Sequence, residues 1–154
     1  MQTTEKVIEL RIHGLPAPQG SKQYKGHSRK GFAILAESSK KVGPWRESIC
    51  WQSREQYKGD PLEGLLKISI TFWLPRPKSH YRIIDGEPGK PIYCQAATKG
   101  DADKLLRSTF DGLAAKTGGC VAQDDSQFVE LEKIRKYYVS ETEGPGAWIK
   151  VVKL

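Results

Sequence analysis

Two short acidic segments hold the residues best suited to chemistry. The first is Gly100-Asp101-Ala102-Asp103-Lys104, in which two aspartates flank one small residue, and the second is Gln123-Asp124-Asp125-Ser126-Gln127. Mg²⁺ prefers oxygen ligands, and proteins hold it through a few carboxylates together with water and substrate phosphate. If the fold brings both segments side by side, three or four carboxylates converge. A cluster of that kind is electrostatically costly unless a cation compensates it.

Each acidic segment also has an ordinary structural explanation. An aspartate at the start of a helix can cap free N–H groups and complement the helix dipole. A pair of aspartates in a turn is usually solvated. Capping explains one of Asp101 and Asp103 more easily than both, so the two segments together favour a metal site.

The residues between the two acidic segments predict an amphipathic helix over 102–115, ended by Thr117-Gly118-Gly119. Asp103, Arg107 and Asp111 are spaced i, i+4, i+8 and therefore lie along one face. Beside metal-binding carboxylates, Arg107 could grip a phosphate; the alternative is a ladder of salt bridges on a solvated helix face. Four residues are predicted to face the core: Leu106, Phe110, Leu113 and Ala114.

The remaining pattern predicts one small mixed sheet with two main helices packed on it, an α/β (α+β) fold in a single domain over 1–154. The predicted strands are 7–13, 32–35, 66–74, 127–139 and 147–153, of which the last two form an antiparallel hairpin. The basic segment 14–32 is predicted to be a long loop that can fold back as a hairpin. A further helix begins near Ser38-Ser39 or Pro44 and ends near Tyr57, with Trp45 and Ile49 on its buried stripe. The other tryptophans, among them Trp51, are interpreted as core or interface residues.

Composition describes an ordinary globular protein, with 38% hydrophobic and 28% charged residues among 154. The net charge of +7 favours a polyanionic partner: nucleic acid, an acidic protein or an anionic membrane surface. No apolar run is long enough to span a membrane, and the N-terminus lacks the apolar centre of a signal peptide. The three cysteines, Cys50, Cys94 and Cys120, form no CxxC pair, so we expect reduced thiols and a cytoplasmic location.

Basic residues are concentrated in the two long irregular segments and beside the first acidic segment. Plain solubility explains most surface lysines, but clustering in loops that flank the acids favours contacts with DNA phosphates. The candidates are Lys22, Lys25, Arg29, Lys30, Lys40, Lys41, Arg76, Lys78, Arg82, Lys99 and Lys104.

Taken together, these motifs resemble the RusA family of Holliday-junction resolvases. The family pattern DxDNLxK, DAL and DDxQ is similar to Asp101 to Arg107, to Asp111-Gly112-Leu113 and to Asp124-Asp125-Ser126-Gln127. The opening Gly14-Leu15-Pro16 and the segment Pro44-Trp45-Arg46-Glu47 look like phage-type members. The resemblance spans most of the chain, and only the stretch from Asp101 to Gln127 is specific.

The resemblance implies a homodimer in which each subunit binds Mg²⁺ or Mn²⁺ and nicks opposed strands of a four-way DNA junction. It implies that Asp101, Asp103 and Asp125 are essential carboxylates that hold the metal, with Asp124 as a further metal-binding candidate. Arg107 stands where the family has a functional lysine, and Asp111 matches a recurrent acidic position, here taken as an outer partner of the metal ligands. Lys104 replaces the usual asparagine, which changes local charge without removing a metal ligand.

Two other classes of function remain open from the sequence. A non-catalytic DNA-binding protein would use the same acids only to cap and bridge, and Mg²⁺ would then affect neither its stability nor any nuclease assay. A different metal-dependent phosphohydrolase acting on nucleotides normally places its DxD directly after a hydrophobic strand. Here residues 95–100 are polar and basic, which disfavours that alternative.

Overall fold

The central feature of the fold is a four-stranded sheet whose spatial order differs from the order along the chain. The computed structural model describes residues 6–19, 22–27, 29–30, 33–37, 40–77, 101–139 and 143–154. In chain order the elements are β1 (Val7–His13), β2 (Lys22–His27), β3 (Ala33–Glu37), α1 (Val42–Gln56), β4 (Leu66–Leu74), α2 (Ala102–Leu113), β5 (Phe128–Tyr138) and β6 (Gly146–Lys153). The sheet order is β1-β6-β4-β5, and β2 pairs separately with β3. The architecture is therefore the predicted mixed sheet with two helices.

Most element boundaries agree with the sequence prediction. The strands β1 and β4 have the predicted bounds, and α1 begins at Val42, between the two predicted starts. The basic segment does fold back, because β2 and β3 pair antiparallel. The predicted strand over 32–35 is β3, which lies slightly later in the chain.

The predicted hairpin between the last two strands is wrong. Strand β5 pairs with β4 in parallel, while β6 pairs antiparallel with both β4 and β1. Strand β4 thus separates β5 from β6. The reason is visible in β4 itself, where even the polar side chains of Ser69 and Thr71 are buried, as expected of a central strand with neighbours on both edges.

The core lies where one face of this sheet meets both helices. Alternate residues of β1, β4 and β6 contribute to one continuous cluster with Trp45 and Ile49 of α1 and Leu105 and Leu113 of α2. The predicted core face of α2 is confirmed but incomplete. Leu113 and Ala114 are buried, and Leu106 and Phe110 are partly buried and pack against the cluster. The prediction missed four further buried residues, namely Leu105, Ser108, Thr109 and Gly112. In the described part of the chain, no helix has the length and apolar character needed to cross a membrane.

The two helices approach closely at Gly112. A Cβ atom at this position would lie 2.7 Å from Cβ of Ile49, which is closer than real side chains come. Cys50 also contacts this point, with Sγ 3.4 Å from the carbonyl oxygen of Gly112. The absence of a side chain at Gly112 therefore sets the spacing between α1 and α2.

Two glutamines of α1 form hydrogen bonds with the backbone N–H and carbonyl groups on the exposed edge of β1. Gln56 accepts from the backbone N–H of Arg11 and donates to its carbonyl, at 2.8 Å in both cases. Gln52 makes the same pair of bonds with His13, at 2.7 Å in both cases. The two side-chain amides thus stand in for a neighbouring strand, and they protect an edge that could otherwise pair with another chain.

We predict that replacing Gln52 and Gln56 together with alanine lowers the free energy of unfolding by about 1–2 kcal/mol, because four exposed hydrogen bonds are lost. Urea denaturation measures the change. Glu55→Ala, on the same helix and also exposed, is the matched control and should leave stability nearly unchanged. Equal stability of the double variant and the control would show that the glutamines do not stabilise the edge.

Candidate active site

The first acidic segment lies at the N-terminus of α2, and its aspartates face solvent. Asp101 occupies the N-cap position with extended backbone, yet its side chain makes no capping hydrogen bond. Its carboxylate is 63% exposed and lies 3.7 Å from Nζ of Lys104. Asp103 is exposed in the first turn of the helix. The simple capping explanation therefore does not account for either carboxylate.

The second acidic segment forms a short 3₁₀ turn, Asp125–Gln127, which leads directly into β5. Asp124 precedes it as the N-cap, and its Oδ1 accepts from the backbone N–H of Ser126 at 3.0 Å. We call residues 123–127 the acidic turn. Its position immediately before a strand agrees with the sequence prediction.

Gln127 fixes the acidic turn through both ends of its side-chain amide. Its Oε1 accepts from the backbone N–H groups of Gln123 and Asp124, at 2.7 and 2.9 Å. Its Nε2 donates to the carbonyls of Leu62 and Gly64, at 2.8 and 2.9 Å. This anchoring role of Gln127 was not predicted from the sequence. The signal that could have indicated it is the glutamine of the DDxQ pattern.

The two carboxylates of the acidic turn share a hydrogen bond and titrate differently. The Ser126 backbone N–H, followed by the hydrogen bond from Asp125, lowers the pKa of Asp124 to about 2. The same hydrogen bond to Asp124, together with burial and the negative charges of Asp124 and Asp111, raises the pKa of Asp125. Two carboxylates held this close repel one another when both are ionised, so the pair favours either a shared proton or a bound cation.

Helix α2 approaches the acidic turn through its C-terminal half. The ring of Phe110 stacks on the ring of Phe128 with centroids 4.7 Å apart. The charge of Asp111 acts on Asp125, as its effect on the pKa shows. Asp103 lies eight residues earlier in the helix, about 12 Å along its axis. Of the two acids on α2, Asp111 is therefore the one that lies nearer to Asp125.

Three of the five acids already have a cationic neighbour. Lys104 lies 3.7 Å from Asp101, Lys116 lies 3.4 Å from Asp124, and Arg46 lies 3.4 Å from Asp111, measured between charged atoms. No ion pair involving Asp103 or Asp125 is found in the described residues. Within the described residues, these two are therefore the acids of the site that lack an ion-pair partner.

Arg107 is exposed on α2, one turn from Asp103 and one turn from Asp111. Asp103 and Arg107 are exposed and Asp111 is partly buried, so this side of α2 borders solvent, as the spacing predicted. The side chain of Arg107 can therefore reach a phosphate placed beside either aspartate.

The predicted convergence of three or four carboxylates is not seen. Across the ranges that the structure describes, no three His, Cys, Asp or Glu side chains lie close enough to hold a metal ion by themselves. The acids instead form an exposed pair at the start of α2 and a hydrogen-bonded pair in the acidic turn. This donor set still suits Mg²⁺, which commonly binds one or two carboxylates and completes its shell with water and substrate phosphate.

The predicted DNA-binding residues fall into four groups: exposed, partly buried with a partner, on β2, and outside the described residues. Arg29, Lys30, Lys40 and Lys41 are exposed, and Lys104 is partly buried beside Asp101. Arg76 is partly buried, and its Nε donates to the carbonyl of Val139 at 2.7 Å, so it has a structural partner. Lys22 and Lys25 lie on β2. The candidates Lys78, Arg82 and Lys99 lie outside the described residues.

Comparison with known proteins agrees with this arrangement. The family model described as Endodeoxyribonuclease RusA matches residues 16–151. The chain is also 26% identical over 129 residues to the Crossover junction endodeoxyribonuclease RusA of Aquifex aeolicus (strain VF5), which covers 84% of this chain and 80% of that protein. The chain belongs to the RusA family and is an endodeoxyribonuclease.

Proposed function

We propose that this endonuclease resolves four-way DNA junctions by paired nicks in opposed strands and that it depends on Mg²⁺, with Mn²⁺ as a possible substitute. The observation that carries the proposal is the acidic turn, which Gln127 anchors through its hydrogen bonds and which lies against the C-terminal half of the helix that bears Asp103 in its first turn. The name of the Aquifex relative, Crossover junction endodeoxyribonuclease RusA, supports the choice of a crossover junction as substrate.

Asp101, Asp103 and Asp125 would hold the metal, with Asp124 as a further ligand or as the group that orients the attacking water. Asp103 and Asp125 are favoured because neither has an ion-pair partner in the described part of the chain. A divalent cation bound there polarises the scissile phosphate and lowers the pKa of a bound water. The acidic turn presents carboxylates in fixed orientation, so little reorganisation accompanies substrate binding.

Arg107 would bind the phosphate that is cut and stabilise the negative charge that develops on its oxygens. Its planar guanidinium can donate two parallel hydrogen bonds to a phosphate, which a lysine cannot do. Asp111 would act as an outer partner, because it is held by Arg46 and exerts its charge on Asp125 without being part of the exposed pair.

Paired nicks on opposed strands require two active sites with opposite polarity, so we propose that the protein works as a homodimer. Light scattering should then give a particle of twice the chain mass of 17.3 kDa. Mixed dimers of wild type and Asp103→Asn should nick only one strand of a junction. A monomer that nonetheless cuts both strands in one encounter would contradict the dimer.

Asp103→Asn tests the proposed metal site directly. We predict that it lowers junction cleavage by roughly 100-fold or more, because one of the proposed metal ligands loses its negative charge and holds the cation less tightly. Binding to the junction should be unchanged or tighter, since one negative charge near the DNA is removed. The assay compares a synthetic four-way junction with linear duplex and flap DNA, with Mg²⁺ or with a chelator.

Glu9→Gln is the matched control for this experiment. It makes the same acid-to-amide change at an exposed position on β1, the opposite edge strand from β5. It should cleave like the wild type. Equal cleavage by Asp103→Asn would refute the assignment, and wild-type cleavage that persists in chelator would refute metal dependence.

The basic residues at the start of α1 give a second test. Lys40 and Lys41 are both exposed. Replacing both with glutamine should weaken junction binding and reduce the slope of log K against log salt by about 2, because each phosphate contact releases about one counterion. Lys133→Gln, at an exposed position in the middle of β5, is the control. An unchanged slope in the double variant would remove these two lysines from the DNA contact surface.

A further inference from the structure

Trp51 stands out on the surface of α1 because a large aromatic side chain is rarely left open to solvent. It is 65% exposed, whereas Trp45 on the same helix is 1% exposed. Of the two settings predicted for Trp51, core or interface, the structure therefore excludes the core. The guanidinium of Arg54 lies over the indole, 5.9 Å from the ring centroid. One face of the helix thus presents an open aromatic ring beside a positive charge.

This surface is connected to the acidic turn by a short series of contacts. Arg54 donates to the carbonyl of Gly118 at 2.7 Å. Gly118 belongs to the turn after α2, where its left-handed backbone (φ 105°) favours glycine. Two residues earlier in this turn, Lys116 lies 3.4 Å from Asp124. Trp51 and Arg54 therefore lie on the surface that continues from the proposed active site.

Arg54 and Lys58 supply positive charge after Trp51, while α1 as a whole is neutral because Glu47 and Glu55 balance Arg46 and Arg54. The positive charges of Arg54 and Lys58 both oppose the rise in the pKa of Cys120 that burial causes, so both cations lie near that thiol. Arg54 and Lys58 are exposed on successive turns of the chain after Trp51. A surface that combines an aromatic ring with ordered cations suits a nucleotide, which has a flat base to stack and a phosphate to pair.

We propose that Trp51 and Arg54 form a nucleotide platform, on which an unstacked base of the DNA substrate lies against the indole while Arg54 binds an adjacent phosphate. The occupant is a nucleotide at or next to the branch point, because bases inside a duplex arm are already stacked. This inference rests on the proposed function for the identity of the DNA. The platform consists of residues of α1 that are neither among the acids nor among the candidate DNA-binding residues, so it adds a contact that those residues do not supply.

The platform is tested by binding in chelator, where the wild type does not cut. Trp51→Ala should weaken junction binding about tenfold, as expected for the loss of one base–aromatic stack, and Trp51→Phe should recover much of the loss. Arg54→Ala should weaken binding and reduce its salt dependence. Leu65→Ala, which truncates another exposed apolar residue, is the control and should bind like the wild type.

Tryptophan fluorescence provides an independent readout. A short single-stranded oligonucleotide should quench part of the wild-type emission by stacking on Trp51, and Trp51→Phe should lose that quenching. Wild-type affinity in Trp51→Ala would overturn the platform while leaving junction resolution intact. Failure of the wild type itself to bind or cut junctions would instead count against the proposed function. An alternative outcome is that Trp51→Ala forms particles of a different mass that bind DNA as well as wild-type particles of the same mass do. That result would place Trp51 in a protein interface and would also overturn the platform.

Discussion

The hydrogen bonds of Gln127 are the constraint on which the rest of the site depends. Its amide joins the backbone of the acidic turn to the carbonyls of Leu62 and Gly64, in the segment that leads into β4. Together with the Ser126 N–H and the Lys116 ammonium, which both contact the Asp124 carboxylate, this connection opposes the repulsion between Asp124 and Asp125. A hydrogen-bonded anchor on a strand end keeps the carboxylates in place whether or not a cation is present, which is what a preorganised site requires.

The sheet order explains why the acidic turn lies where it does. Because β5 runs parallel to β4, both strands begin at the same end of the sheet, and Leu66 is paired with Phe128 there. The stack of Phe110 on Phe128 then brings α2 to that end. If β5 had formed the predicted hairpin with β6, it would not pair directly with β4. The pairing of β4 with β5 would then not place Gln127 against residues 62 and 64.

The sequence predicted those parts of the fold that depend on local periodicity. Strand β4 and the extent of α2 follow from alternation and from the 3.6-residue repeat, and both were predicted nearly to the residue. The motif residues of the site followed from resemblance to a family, and their individual roles remain predictions. What local patterns could not supply was the pairing of β5, since neighbours in a sheet are chosen by contacts between distant segments.

Part of the buried face of α2 was missed for a related reason. Ser108 and Thr109 look like solvent-facing residues in a hydrophobicity pattern, yet both are fully buried. Ser108 Oγ donates to the carbonyl of Ala17 at 2.6 Å, and Thr109 Oγ1 accepts from the indole N–H of Trp45 at 3.3 Å. Burial of a hydroxyl is tolerated only when such partners exist, and these partners come from remote parts of the chain.

Lys104 changes the charge around the first acidic segment. It stands where the family pattern has an asparagine, and its ammonium lies 3.7 Å from the carboxylate of Asp101. This lysine partly neutralises the carboxylate that it accompanies, although the exposure of both groups keeps the interaction weak. In the part of the chain that the structure describes, Asp101, Asp111 and Asp124 each lie beside a cation, whereas no ion pair with Asp103 or Asp125 is found. A carboxylate without an ion-pair partner gains more from a bound cation than one whose charge is already partly neutralised. This distribution of counter-charges supports the proposal that Asp103 and Asp125 are among the metal ligands.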